Sequence, residues 1–355
     1  MTSAPAAKDR VPEPARTPSR WRRLLFGLGL PIVLLLIGEA AVRVVDPEPP
    51  STLLRAPLDR MFMVITPEFF HDDPHVFWRL KRDLDVPPVY LGDRSDSLGL
   101  RNLRTPGPKG DSERIVCVGD SCTYGLGVPI EAAWPTLIGE ETDWDVVNAG
   151  VPGYTTFQAV RQWETLLADL EADRIVIEFG NNDLVPWPAR EGAEWVFATD
   201  RERSRHIAYT LTPPLGSRLL QVLAGHLWLP PPERHQADAP MEVHAASRSR
   251  VPLDEFRRNL EFLASRAPRA VFLIWPHRVQ IEPSPTLPIR MQRLREYQRT
   301  IREVASAGGH DVVDVVALFQ ESGLPAPELF VDDVHASAAG CRLVADAVIA
   351  SLREQ

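Results

Sequence analysis

RIVCVGDSCTYG, Arg114 to Gly125, decides the fold. After the leading arginine, residues 115–119 are apolar on both faces, the mark of a strand buried between two layers. The run stops on Gly119-Asp120-Ser121, residue types that turns favour. Four more short runs share its character: WDVVN (144–148), RIVIEF (174–179), AVFLIW (270–275) and DVVDVV (311–316). Between them apolar residues fall at helical spacing, as in Phe157, Val160, Trp163, Leu167 and Leu170, or Leu294, Tyr297, Ile301 and Val304. Residues 338–352 repeat small and aliphatic side chains at the same period. Strands alternating with helices predict an α/β fold with a central parallel sheet covered on both faces.

The 355-residue chain is 44% hydrophobic and 25% charged, which excludes a disordered or fibrous protein. With 39 basic and 48 acidic residues its net charge is −9, so no nucleic-acid partner is expected. Cys117, Cys122 and Cys341 lack CxxC or Cys/His spacing, against a disulfide framework or structural zinc. His206, His226, His235, His244, His277 and His310 share no ligand spacing and read as loop residues, so no metal is expected. Gly125-Leu126-Gly127 is not a GxGxxG, because Ile130 stands at its last position, and no GxxxxGK[ST] occurs. No cofactor is expected. Trp134, Trp163 and Trp275 read as core.

Residues 1–20 are rich in Pro, Ala and Arg without apolar periodicity and read as a disordered tail. Six basic residues (Lys8, Arg10, Arg16, Arg20, Arg22, Arg23) precede LLFGLGLPIVLLLIG, residues 24–38, which carry no charge. A membrane span usually needs about 20 apolar residues, a length reached by counting on to Val45. Residues 21–45 therefore read as a retained signal anchor, meeting the membrane through residues 24–45, with the bulk of the chain outside the cytoplasm. A cleaved signal peptide, cut near Gly38-Glu39-Ala40, is the competing reading. Residues 46–110 read as linker and extension, and 111–355 as the main domain. An insertion at about 185–251, with Trp187, Trp195, Trp228 and LPPPERHQADAP, is too long for a crossover loop and reads as a cap, lid or disordered segment.

In a doubly wound sheet the active crevice lies beyond the carboxyl ends of the strands. The first strand is followed by GDSCTYG (119–125), the second by NAGVPGY (148–154), the third by GNND (180–183), and DDVH (332–335) precedes the last helix. A serine hydroxyl is a weak nucleophile until an imidazole takes its proton, and that imidazole needs a carboxylate to hold its tautomer. Ser121, His335 and Asp332 supply those types, and one turn of backbone can bring Asp332 and His335 to one side. Gly153 lets a backbone N–H approach a substrate, and Asn182 offers an amide donor. With the Ser121 N–H they make three donors for a tetrahedral oxyanion. Each motif alone is weak: Gly-Asp-Ser and Asn-Asn-Asp suit turns or helix caps, and Asp-x-x-His suits a surface pair. Asp120 reads as a turn-former and Cys122 as a small residue packed in the turn. Together, each after its own strand, they read as one site.

The four blocks resemble the SGNH/GDSL hydrolase superfamily, and the likeness covers about residues 114–355. It implies a flavodoxin-like three-layer α/β/α sandwich, here preceded by one N-terminal transmembrane helix, and ester hydrolysis without a metal. It implies Ser121 as nucleophile, His335 as base, Asp332 as its partner, and Ser121, Gly153 and Asn182 as the oxyanion hole. Gly150 is an alternative second-block glycine, and SLGLRN (97–102) resembles a segment preceding the first strand in membrane-anchored bacterial members. The Trp- and Pro-rich insertion departs from the pattern. The expected activity is an esterase or acylhydrolase on an acylated small molecule, lipid or glycan. An envelope-polysaccharide O-acyltransferase or a non-catalytic carbohydrate-binding protein are the rivals.

Overall fold

The computed structural model describes residues 20–45, 69–89, 92–187, 199–211, 216–217, 219–220, 248–282 and 288–354. After the first helix come two antiparallel hairpins: β1 (Phe70–Asp73) with β2 (Phe77–Leu80), and β3 (Asp85–Val89) with β4 (Gly92–Arg94). The main sheet holds β5 (Arg114–Gly119), β6 (Asp145–Asn148), β7 (Arg174–Glu178), β8 (Arg269–Ile274) and β9 (Asp311–Asp314). Their order is β6-β5-β7-β8-β9, and every neighbouring pair is parallel. Counted within the sheet this is the doubly wound order 2-1-3-4-5. The five expected runs all form strands, with ends moved by at most two residues.

Successive side chains point to opposite faces of a strand, and here both faces are dry. Val116, Val118, Ile175, Ile177, Phe272 and Ile274 pack with helices Thr156–Thr165, Leu253–Ala264 and Pro288–Gly308. Ile115, Cys117, Val176, Val271, Leu273 and Val313 pack with helices Trp134–Glu141, Val315–Glu321 and Ala338–Arg353. The sequence order reverses direction between β5 and β7, where the strand ends splay apart and open a crevice. That crevice receives the turns after Gly119 and Glu178.

Part of the segment read as linker and extension belongs to the core: Phe70, Val76, Phe77, Trp78, Leu80 and Leu100 join the first of these clusters. Fully buried Arg101 donates to the carbonyls of Tyr124, Gly125 and Val128 at 2.6–2.8 Å, tying the extension to the turn after β5.

The chain's first helix, Arg20–Val45, carries Leu30, Ile32, Leu34, Leu36 and Ile37 more than half exposed. Among the described residues no helix is long and apolar enough to cross a membrane. Within the insertion, Trp187, Asp200, Arg203 and Arg250 are buried and helix Asp200–Leu211 forms. Residues 188–198, 212–215, 218 and 221–247, on which most of the cap or lid expectation falls, lie outside the described residues.

Candidate active site

Ser121 opens a four-residue helix, Ser121–Tyr124, directly after β5. The Asp120 side chain caps it by accepting the Cys122 N–H at 2.8 Å, and Gly125 ends it at φ +84°, a left-handed cap that a side chain would strain. The turn presents the buried Ser121 hydroxyl to His335, whose Nε2 lies 2.7 Å from Oγ. On the other ring nitrogen, Nδ1 lies 2.6 Å from Asp332 Oδ2. Asp332 is fixed in turn, because its Oδ1 accepts the N–H groups of Val334 and His335 at 2.9 Å each. Trp275, at the end of β8, donates its indole N–H to Val334 O at 2.7 Å, and Val331 N–H closes the loop on His335 O. The expected three-residue spacing thus becomes a closed turn that sets both side chains on one side.

Gly150 and Gly153, both open from sequence, are separated by their N–H groups. Gly150 donates to Asn148 Oδ1 at 3.0 Å, and a Cβ on it would sit 2.3 Å from Tyr124 N. It is a packing glycine. Gly153 has φ +78°, and among the described residues its N–H meets no backbone acceptor. The Ser121 N–H, first in its helix, is equally open. Asn182 sits in the short helix after β7, and its Nδ2 donates to Asp120 Oδ2 at 2.9 Å and to Tyr154 O at 3.1 Å. All five expected residues therefore converge at the β5/β7 crevice. Both Asn182 amide hydrogens are held by the protein, so a substrate oxygen would have to draw one away.

Beneath the serine lies a buried acid pair that sequence reading passed over. Glu178, the last residue of β7, accepts the Asp120 N–H at 3.3 Å and the Thr123 hydroxyl at 3.1 Å. Burial pushes both carboxyls upward, and repulsion from Asp120 pushes Glu178 further, so Glu178 holds the proton the pair shares. Asp120, read as a turn-former, is also the link between this pair and Asn182. Asp120, Cys122 and Glu178 place ligand atoms within 4.8 Å of one another. Burial and the flanking carboxyls push the Cys122 thiol well up, and Asp120 and Glu178 already accept from Asn182, Thr123 and backbone, so the donor set fits a proton-sharing cluster. His277, expected on a loop, is the buried cap of helix Arg278–Ile281, and burial lowers its pKa to about 4.

A family model described as GDSL-like Lipase/Acylhydrolase matches residues 117–343. The chain belongs to that family. Curated GDSL-type relatives include an arylesterase of Vibrio mimicus, 34% identical over 77 residues that are 20% of this chain and 38% of the relative. Thioesterase 1/protease 1/lysophospholipase L1 of Escherichia coli K12 is 30% identical over 74 residues, 20% of this chain and 36% of its own. Esterase TesA of Pseudomonas aeruginosa is 32% identical over 77 residues, 20% of this chain and 38% of its own. The chain thus spans under two fifths of the curated relatives it matches. Among solved structures, Axe2, an acetylxylan esterase from Geobacillus stearothermophilus, is 18% identical with a TM-score of 0.43, covering 69% of this chain and 96% of that one. A lipase/acylhydrolase from Enterococcus faecalis is 18% identical with a TM-score of 0.42, covering 68% and 96%.

The part of this GDSL family member least visible in sequence surrounds the second block. Fully buried Arg250 donates to Gly153 O at 2.8 Å, to Gln158 Oε1 at 2.8 Å and to Asp200 Oδ1 at 3.0 Å. Asp200 also accepts from Thr155 Oγ1 at 2.5 Å and from the Trp187 indole at 2.7 Å. Guanidinium groups of Arg203 and Arg250 lie 3.8 and 4.0 Å from the Trp187 ring centroid. Arg203 and Arg250 look like surface charges in sequence. Only their positions in a Trp-bearing insertion hinted otherwise.

Proposed function

We propose that the chain is a serine esterase in which Ser121, His335 and Asp332 form the catalytic triad. The observation that carries the reading is the continuous hydrogen-bonded line Asp332–His335–Ser121, at 2.6 and 2.7 Å. In this reading the Ser121 Oγ attacks the acyl carbonyl carbon while its proton passes to His335 Nε2. The C=O electron pair moves onto oxygen, where the N–H groups of Ser121 and Gly153 and the Asn182 amide receive it. Collapse of the intermediate breaks the ester C–O bond, and His335 returns its proton to the departing alcohol. Water, deprotonated by the same imidazole, then attacks the acyl-serine and releases the acid. Asp332 keeps the imidazole in the tautomer with Nδ1 protonated and balances the charge of the imidazolium.

The substrate is an acylated small molecule, lipid or glycan, and the names of the curated relatives, arylesterase and esterase among them, support carboxylic esters as the class. The test is hydrolysis of p-nitrophenyl esters of graded chain length, together with labelling by a fluorophosphonate probe. Ester turnover with the label on Ser121 is the expected result. A folded chain that neither turns over esters nor takes the probe at Ser121 sinks the reading.

We also propose that residues 24–45 hold the enzyme at a membrane with the catalytic domain outside the cytoplasm. Support comes from the charge-free run 24–38, the six basic residues before it, and the exposed aliphatic side chains of helix Arg20–Val45. Full-length chain should sediment with washed membranes and resist high salt, while a chain lacking residues 1–45 should not. Release of the full-length chain by washing would overturn the anchor.

A further inference from the structure

The N-terminal hairpin reaches the second block through the Trp78 side chain. Trp78, on β2, is fully buried and donates its indole N–H to Pro152 O at 3.0 Å, across 74 residues of sequence. That carbonyl and the Gly153 N–H belong to the same peptide group. The peptide is trans, so the two point in opposite directions from one plane. A donor that holds the carbonyl on the hairpin side therefore fixes the N–H on the other side. A carbonyl that accepts a hydrogen bond also polarises its own N–H and makes it a stronger donor.

Three further observations place Trp78 there by construction rather than by filling space. Phe77, immediately before it, has φ +75°, a left-handed conformation that is rare and strained for an aromatic residue. Strain of this kind persists where surrounding contacts over-determine it, and it gathers at working sites. Here the contacts are Phe77 stacked on Phe157 at 6.0 Å and the Gln158 amide donating to Val76 O at 2.8 Å. Second, Tyr154, whose carbonyl accepts from Asn182, returns its hydroxyl to Trp78 O at 2.6 Å, and the two rings meet edge to face at 5.8 Å. Third, Arg250 holds the next carbonyl, Gly153 O. The peptides on either side of Gly153 are thus each anchored by a buried donor from outside the second block. The glycine could otherwise let the Pro152–Gly153 peptide turn over and present a carbonyl oxygen where an oxyanion needs a donor.

We infer that Trp78 is a positioning residue for the oxyanion hole: its indole N–H holds the Pro152–Gly153 peptide so that the Gly153 N–H faces the reacting carbonyl. This rests on the esterase reading above. It makes the N-terminal hairpin part of the catalytic apparatus, because the oxyanion hole is held by a residue some forty positions before the first block.

The experiment compares wild type with Trp78→Phe, which keeps an aromatic ring and removes the donor, and with Trp78→benzothienylalanine, which keeps the bicycle and replaces N–H by sulfur. Ester turnover, melting temperature and the rate of phosphonylation of Ser121 are read for all three. The expected result is a kcat lower by about tenfold, short of the 10²–10³ that follows loss of an oxyanion donor itself. KM and the benzothienyl melting temperature stay within error, and phosphonylation slows in step, because the phosphonyl oxygen occupies the same hole. Unchanged kcat in the benzothienyl variant overturns the inference, and so does a raised KM with kcat intact. A Phe variant that unfolds is decided by the benzothienyl variant alone. A folded wild type inert to both esters and fluorophosphonate overturns the esterase reading and this inference together. An active wild type with equal kcat in the variants overturns only the latter.

Discussion

His335 Nε2 lies 2.7 Å from Ser121 Oγ although 214 residues separate them in sequence. The imidazole is held from two sides, by Asp332 Oδ2 at 2.6 Å on Nδ1 and by the turn that Asp332 Oδ1 closes over the N–H groups of Val334 and His335. Removing the Ser121 hydroxyl leaves this scaffold untouched, since the buried Oγ supports no element of the fold. Ser121→Ala should lower kcat/KM for p-nitrophenyl acetate by several orders of magnitude while the melting temperature stays within a few degrees. Near-wild-type turnover in a folded variant would assign the nucleophile elsewhere.

Asn182 is shared between the protein and the proposed oxyanion. Asn182→Ala should cost about 10²–10³ in kcat with little change in KM, as expected for a donor that works in the transition state. Asp120→Asn should cost less. Its single carboxamide oxygen cannot keep both bonds that Asp120 now accepts, from Cys122 N and from Asn182, so the amide is loosened rather than lost. Steady-state kinetics of both variants checks the order, and an Asn182→Ala effect confined to KM would mark it as a substrate-positioning group.

Glu178 is held protonated by burial and by Asp120, and a glutamine reproduces that neutral state. In Glu178→Gln the amide oxygen can keep the Asp120 N–H and Thr123 hydroxyl as donors while its NH₂ takes the place of Oε1, a buried atom with no hydrogen-bond partner among the described residues. Its kcat should lie within a few fold of wild type. Glu178→Leu leaves those two donors unpaired in the core, at about 1–3 kcal/mol each, so its denaturation midpoint should fall well below that of the glutamine variant. Equal midpoints for the two would show that the pair carries no such load.

What the sequence made legible has a simple physical origin. Runs such as RIVCVG are apolar on both faces because β5 is covered on both faces, and the turns beyond β5, β6 and β7 carry polar residues because the crevice is there. Ser121, Gly153 and Asn182 could be named as candidates for that reason, and Asp332 and His335 by their three-residue spacing before the last helix, with their roles taken from the family resemblance. Trp78, Glu178 and the Arg250–Asp200 pair could not. Trp78 reads as one more core aromatic until the fold brings Pro152 to it. Glu178 is a lone acid at the end of an apolar strand, and its meaning depends on Asp120, which comes 58 residues earlier. Arg250 and Asp200 stand in a segment whose composition suggests solvent. Their burial follows from packing against Trp187 and Thr155, which no spacing rule announces.

Asp183 gives the pH dependence of stability a sign. Burial raises its pKa to about 7, against hydrogen bonds from Thr156 N at 2.9 Å and Thr156 Oγ1 at 2.6 Å that favour the charged form. From the ordinary carboxylate range up to about pH 7 the folded state therefore binds more protons at this site than the unfolded chain. Stability from Asp183 falls as pH rises through that window and is lowest above it. Asp183→Asn keeps an acceptor for Thr156 and cannot ionise. Its advantage in unfolding free energy over wild type should grow from pH 5 to pH 8 and then level off, measured by urea denaturation. A difference that is flat across that range would mean the carboxyl stays ionised in the fold.

Arg250 and Asp200 form an ion pair whose side chains are both fully buried. Removing one partner of such a pair strands the other charge, at about 3–5 kcal/mol, whereas replacing both with apolar groups can be nearly neutral. In Arg250→Met the Asp200 carboxylate keeps Thr155 and Trp187 as donors and Gln158 Oε1 keeps the Thr155 N–H, which softens the loss, but Gly153 O loses its side-chain donor. Arg250→Met should therefore destabilise by several kcal/mol and lower kcat, because Gly153 O loses the buried donor that holds it. Adding Asp200→Leu removes the stranded carboxylate but also the negative charge that favours buried Arg203 and the acceptor of Thr155 and Trp187, so it should recover only part of the stability, yet leave kcat low, since Gly153 O is still unheld. Chemical denaturation and ester turnover on the two single variants and the double variant give the cycle. Recovery of kcat together with stability would show that the pair acts on the fold alone.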